Sequence, residues 1–250
     1  MLLIISPSKK MDFVPEDIKF HATECKYKSE VSSLAEIMKG KSIDDLIQMM
    51  SLSKSLATLN FQRYQSFDSG PTKQALFAFK GDVYSKISVS KYTSEDIEFA
   101  QKHLRILSGL YGLLRPLDLI HAYRLEMGVK LNIDHSNDLY EFWHDKLTQE
   151  IRNLMKKDDD ILVNLASTEY SSAINIQNLS GTIVNVVFKN LNKGSYKVIG
   201  LLAKRARGMM VDFVIRNKIS SLQDLKDFSE GGYKFVSSES SDKEFCFFAQ

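Results

Sequence analysis

The chain of 250 residues is 44% hydrophobic and 26% charged, with 12 Gly, 4 Pro and a net charge of +2. This balance excludes collagenous and linker-rich proteins and by itself points to no polyanionic partner. A fold of this length hides roughly 70–75% of its unfolded surface, so one sizeable core forms without disulfide or metal staples.

Leu2–Ile5 is a continuous branched-apolar run, which predicts a strand buried on both faces. It is too short for a secretory signal, no basic residue precedes it, and no long charge-free apolar run follows elsewhere. The expected setting is the cytoplasm. Residues 26–67 read as helices, with Val31, Leu34, Ile37 and Met38 followed by Ile43, Leu46, Ile47 and Met50. Thr93-Ser94-Glu95-Asp96 has the form of a capping box. It opens a helix with Ile97, Ala100, Leu104 and Leu107 on one face, interrupted at Gly109-Leu110-Tyr111-Gly112 and resuming at Leu113 before Pro116. An amphipathic helix is predicted over 138–156, burying Leu139, Trp143, Leu147, Ile151 and Leu154.

After Asp158-Asp159-Asp160, a solvated loop, residues 161–165 read as a strand. Residues 182–188 and 196–203 read as a hairpin around the turn-rich spacer 190–194. A helix follows over 204–218, then a short helix over 222–228 and a last hairpin pairing 233–236 with 244–248. No linker divides the chain, so 1–250 is expected to be a single mixed α/β (α+β) domain with surrounding helices and a helix-hairpin-helix-like element at about 94–120.

The common nucleotide-binding, metalloprotease and hydrolase signatures are missing. Histidines 21, 103, 121, 135 and 144 have no ligand spacing, and Cys25 and Cys246 form no CxxC pair. No metal or cofactor is therefore expected. Charge is segregated instead: residues 189–218 carry +7 and residues 219–250 carry −3.

Four constellations suit an anion. The loop after the first strand offers Ser6, Ser8, Lys9 and Lys10 where α/β sheets gather ligands; a polar turn is the plain alternative. The Gly109–Gly112 turn, with Arg115 one turn on, fits a helix-hairpin-helix whose backbone N–H groups hold DNA phosphates, or a simple packing corner. Lys204, Arg205 and Arg207 flank the apolar arc of the basic helix, and Gly208 leaves room for a backbone or a phosphate. Lys80, Asp82 and Tyr84 with Tyr123, Arg124 and Glu126 suit either structural ion pairs or a general base.

Several stretches resemble the bacterial YaaA peroxide-stress protein family, in order and over nearly the whole chain. They are Ile5-Ser6-Pro7-Ser8-Lys9, Phe79-Lys80-Gly81-Asp82-Val83-Tyr84, the run from Leu107 to Asp118, Tyr123-Arg124-Leu125-Glu126-Met127-Gly128, Asn164-Leu165-Ala166-Ser167 with Glu169-Tyr170, and Ala206-Arg207-Gly208. The resemblance implies a cytosolic role in surviving hydrogen peroxide by limiting free iron and the DNA damage that iron and peroxide cause together. It also implies a positively charged cleft, a helix-hairpin-helix and duplex DNA as partner, with no established reaction. Carried over, Ser6, Lys9, Lys80, Gly109, Leu110, Tyr111, Gly112, Arg115, Arg124, Lys204, Arg205 and Arg207 are the expected DNA- or phosphate-binding residues. Ser8, Lys10 and Ala122 depart from the family pattern, as does Asp212, an acid where the pattern often has arginine and where it would weaken the basic helix.

The leading expectation is a monomer that binds double-stranded DNA without strong sequence preference. Its rival is an enzyme acting on a nucleotide or other phosphate-bearing substrate in the same cleft. Direct iron sequestration is disfavoured by the scarcity of thiols and clustered histidines.

Overall fold

The computed structural model describes residues 1–133 and 135–250. Eight strands form one mixed sheet: β1 (Leu2–Ile5), β2 (Leu104–Ser108), β3 (Gly112–Leu114), β4 (Ile161–Asn164), β5 (Thr182–Asn192), β6 (Ser195–Lys197), β7 (Lys234–Phe235) and β8 (Glu244–Ala249). Their spatial order is β7-β8-β5-β4-β1-β2-β3, with β6 paired to β5. From β8 across to β2 the pairing is parallel, and β3, β6 and β7 are antiparallel additions. β1 lies between two parallel neighbours, which is why its run is apolar at every position and buried throughout.

The principal helices are α1 (Lys28–Lys39), α2 (Ile43–Met50), α3 (Lys54–Gln65), α4 (Ser94–His103), α5 (Leu139–Lys156) and α6 (Gly200–Arg216). At α4 the capping box forms as read: Asp96 N–H donates to Thr93 Oγ1 at 3.2 Å and Thr93 N–H to Asp96 Oδ2 at 2.9 Å. The long amphipathic helix is α5, capped by Asp138, with Leu139, Trp143, Leu147 and Ile151 buried and Leu154 half-buried. The last hairpin is β7 with β8.

Two expectations are corrected. The element at 94–120 is a helix followed by a β-hairpin, not a helix-hairpin-helix. The chain leaves α4 at Leu104, and all five residues of β2 are buried beside β1. Gly109–Tyr111 then turns the chain into antiparallel β3. The strand predicted over 196–203 stops at Lys197, and α6 starts at Gly200, because β6 pairs with only the last three residues of β5.

The β2–β3 turn is held by the core. Trp143 is fully buried, its indole N–H donates to the Gly109 carbonyl at 2.9 Å, and Tyr27 meets its ring edge-on with centroids 5.3 Å apart. Gly112 has φ +67°, and a Cβ there would stand 2.6 Å from the Trp143 ring. That glycine therefore answers both a left-handed backbone and a close approach.

Asp212 is also structural. It is buried on α6, where Oδ1 accepts from Ser88 N–H at 2.7 Å and from Tyr92 O–H at 2.8 Å. It ties the segment before α4 to the helix through Oδ1, while Oδ2 lies 3.6 Å from Arg216 of the same helix. Beside it, Gly208 packs against the Val83 carbonyl so closely that a Cβ would lie 2.0 Å from the oxygen. The room the glycine leaves is filled by backbone.

The loop at Asp158 is less solvated than its run of acids suggests, because Asp158 Oδ2 lies 2.8 Å from His103 Nδ1. Burial holds the His103 ring below its ordinary value of 6.5, against the opposing pull of the Met1 carbonyl and Asp158. The unfolded chain then binds the proton more readily than the fold does. Stability should be fully present above about pH 6.5 and fall as the pH drops through the window between the unfolded and folded values. Urea unfolding at pH 7.5 and 5.5 checks this, with His103→Gln expected to flatten that part of the profile.

Candidate functional site

The chain passes from β1 to β2 on one side and later returns to β4 on the other. The carboxyl ends of β1 and β4 are therefore the switch point at which open parallel sheets place ligands. The loops leaving these two strands meet there. Ser167 N–H donates to Ser6 Oγ at 2.9 Å, and the two hydroxyls lie 3.2 Å apart. Tyr84 O–H donates to the Ser6 carbonyl at 3.0 Å and tethers the loop, and burial pushes its phenol well above the ordinary range. Lys10–Met11 pairs with Phe79–Lys80, so the loop of residues 6–10 is held at both ends.

These segments and one face of α6 enclose a cavity of about 370 Å³. Its charged lining is Lys9, Lys10, Lys204 and Arg207 against Asp82 and Glu169. Arg207 has no carboxylate partner among the described residues; its Nε is buried without an acceptor, and burial lowers its pKa. Asp82 faces Arg205 at 3.6 Å, and Glu169 Oε1 accepts from Gly128 N–H at 3.4 Å. Glu126, just outside, takes Arg124 Nη2 at 2.9 Å and Lys9 Nζ at 3.2 Å on one oxygen, so two cations share one acid.

Of the residues expected to bind phosphate, Ser6, Lys9, Lys204 and Arg207 line this cavity. Arg205 stands at its rim through Asp82, Lys80 adjoins it through Gly81, and Arg124 borders the same loop. Gly109, Leu110, Tyr111 and Gly112 do not join them. Leu110 and Tyr111 are buried, and the turn faces Trp143. Arg115 is elsewhere too, in a separate cavity with Lys26, Arg105, Asp118 and Glu150. There its Nε donates to Asp118 Oδ1 at 3.0 Å and Nη2 to the Glu24 carbonyl at 3.0 Å, which makes it a brace between segments. Ser8 and Lys10, offered by the sequence in the anion-suited loop but not carried over from the family, line the main cavity too, as does Ser167, which was not among the expected residues. The signal for Ser167 was its place after an apolar strand.

Among the described residues no three His, Cys, Asp or Glu side chains gather as metal ligands, and no helix is long and apolar enough to cross a membrane. Cys25 is half-buried and Cys246 buried, and burial pushes both thiols up.

The fold and site define a mixed α/β protein with a cationic, hydroxyl-lined cavity at its switch point. The model of the family described as peroxide stress protein YaaA matches residues 1–239. A UPF0246 protein of Acaryochloris marina is 48% identical over 99% of both chains. One of Shewanella amazonensis is 43% identical over 96% of this chain and 95% of its own, and one of Alteromonas mediterranea 40% identical over 99% and 97%. The chain belongs to the YaaA peroxide stress protein family.

Proposed function

We propose that the chain acts in the cytosol during peroxide stress by binding duplex DNA through the rim of this cavity, largely irrespective of sequence. The observation that carries the reading is the charge imbalance at the switch point: four cations face two acids, and Lys10, Lys204 and Arg207 have no acidic partner among the described residues. Lys193 and Lys197, in the segment leading into α6, extend the same sign of charge. Cationic side chains on backbone phosphates displace the condensed counterions. Ferrous ions are among the cations so displaced, which removes them from the strand that peroxide would otherwise damage.

The test is fluorescence anisotropy of a labelled duplex across a salt series. About three phosphate contacts imply roughly a 40-fold loss of affinity between 50 and 200 mM salt. Lys204→Ala and Arg205→Ala should each weaken all sequences alike and reduce the salt slope by about one contact. Binding that is absent at low salt, or unchanged across the series, overturns the reading.

A further inference from the structure

Duplex DNA lies across a surface, whereas the cavity is closed at its base by Tyr84 and the ends of β1 and β4. Its volume of about 370 Å³ falls in the roughly 300–1,000 Å³ range of small-molecule sites. The rim explains attraction to a polyanion but leaves the floor without a role.

The floor has more donors than acceptors. Ser6 and Ser167 share one hydrogen bond between their hydroxyls, so one of their two O–H protons remains to be given. Ser8 Oγ accepts from Lys10 N–H at 3.1 Å, and its own proton has no acceptor among the described residues. Arg207 brings a guanidinium without a carboxylate among the described residues, while the exposed Lys10 and Lys204 hold their ammonium groups at the rim above it. The cavity's two carboxylates are engaged by Arg205 and by the Gly128 N–H. Such a set favours a ligand that accepts hydrogen bonds and carries negative charge. A phosphate does both, and a guanidinium binds it with fixed geometry.

We propose that the cavity floor is a socket for a phosphomonoester dianion, with Arg207 as its principal charge partner and the hydroxyls of Ser6, Ser8 and Ser167 as its donors. The socket rests on the reading that this cavity binds phosphate, and it names which phosphate. An internal diester continues as chain in both directions and is confined to the rim. A terminal phosphate, carried by a nucleoside 5′-monophosphate or by the 5′ end of a strand, enters the floor. In this form the protein recognises broken strand ends above intact duplex.

The experiment uses the full chain and short duplexes of one sequence, with either 5′-phosphate or 5′-hydroxyl ends. Deoxyadenosine 5′-monophosphate is the competitor and deoxyadenosine the control. The 5′-phosphorylated duplex should bind about 10- to 100-fold more tightly, the range set by a charge-assisted contact. The monophosphate should compete and the nucleoside should not. Arg207→Gln should bring the ratio between the two duplexes close to one. Ser8→Ala should reduce it severalfold, and as the loss of one hydroxyl from a half-buried loop residue it keeps the test valid if Arg207→Gln fails to fold by circular dichroism. Equal binding of both duplexes without competition overturns the socket and leaves the DNA reading standing. Binding of the monophosphate without binding of either duplex supports the socket and overturns the DNA reading. Binding of neither overturns both.

Discussion

Trp143→Ala is expected to cost about 3–5 kcal/mol, the range for removing a large aromatic side chain from a filled core. For a chain of this length that is a fall of roughly 6–20 °C in melting temperature. Three losses coincide. The ring volume goes, and with it the contacts to Tyr27 and Phe142, whose centroids lie 5.3 and 4.9 Å away. The Gly109 carbonyl loses its only side-chain donor among the described residues. The β2–β3 turn loses the surface against which Gly112 is packed. Trp143→Phe separates these, since it keeps much of the volume and deletes the N–H; about 1–2 kcal/mol is expected from the unsatisfied carbonyl and the smaller ring. Differential scanning calorimetry of both variants measures the difference. A Trp143→Ala protein as stable as the parent would show that the turn does not depend on α5.

Asp212→Ala should be nearly as damaging, at about 3 kcal/mol, because it leaves the Ser88 N–H and the Tyr92 O–H without their acceptor in a buried place. Both bonds end on Oδ1, while Oδ2 has, among the described residues, only Arg216, 3.6 Å away and mostly exposed. Asp212→Asn can therefore keep both donors satisfied through its amide oxygen. It should cost about 1–2 kcal/mol, since the two bonds lose their charge assistance and the 3.6 Å pairing with Arg216 is lost. Asp212→Arg, which restores the basic residue of the family pattern, should be the worst of the three, because it adds a buried cation beside two hydrogen-bond donors. If it bound DNA better without loss of stability, the structural role given to Asp212 would be wrong. Urea unfolding followed by circular dichroism separates the variants.

The parts of this fold that were legible in the sequence are those fixed by near neighbours. The capping box at Thr93, the stripe of α5 and the apolar run of β1 each announce themselves within a few residues. The helix-hairpin-helix expectation failed because Ile97, Ala100, Leu104 and Leu107 keep a spacing of three or four across the junction where α4 becomes β2. That spacing is compatible with either structure, and what decides between them is pairing with β1, about a hundred residues away. Within the site, Lys9, Lys204 and Arg207 could be picked out as cations in distinctive motifs, and the structure brings them to one cavity. Arg115 looked equivalent, yet Asp118, three residues on, takes up its guanidinium. The sequence displays a charge; whether that charge has a partner depends on rotamers and folding. Ser8 and Lys10 stood in the anion-suited loop that the sequence offered but departed from the family pattern and were not carried over, whereas Ser167 is an ordinary loop hydroxyl that only its meeting with Ser6 at the switch point sets apart.

The placement of β1 also bears on how the protein is made. β1 sits between β2 and β4, whose residues emerge from the ribosome about a hundred and a hundred and sixty positions after its own. The wall supplied by Arg207 comes later still. At roughly 5–20 residues per second, the segment bearing Ser6 waits on the order of 10–40 s for its last partner. For the first half of that wait Leu2–Ile5, a natural client for a holding chaperone, lacks both of its sheet neighbours, and the cavity lacks its α6 wall until the wait is over. Full ligand capacity then arrives only once Arg207 has emerged.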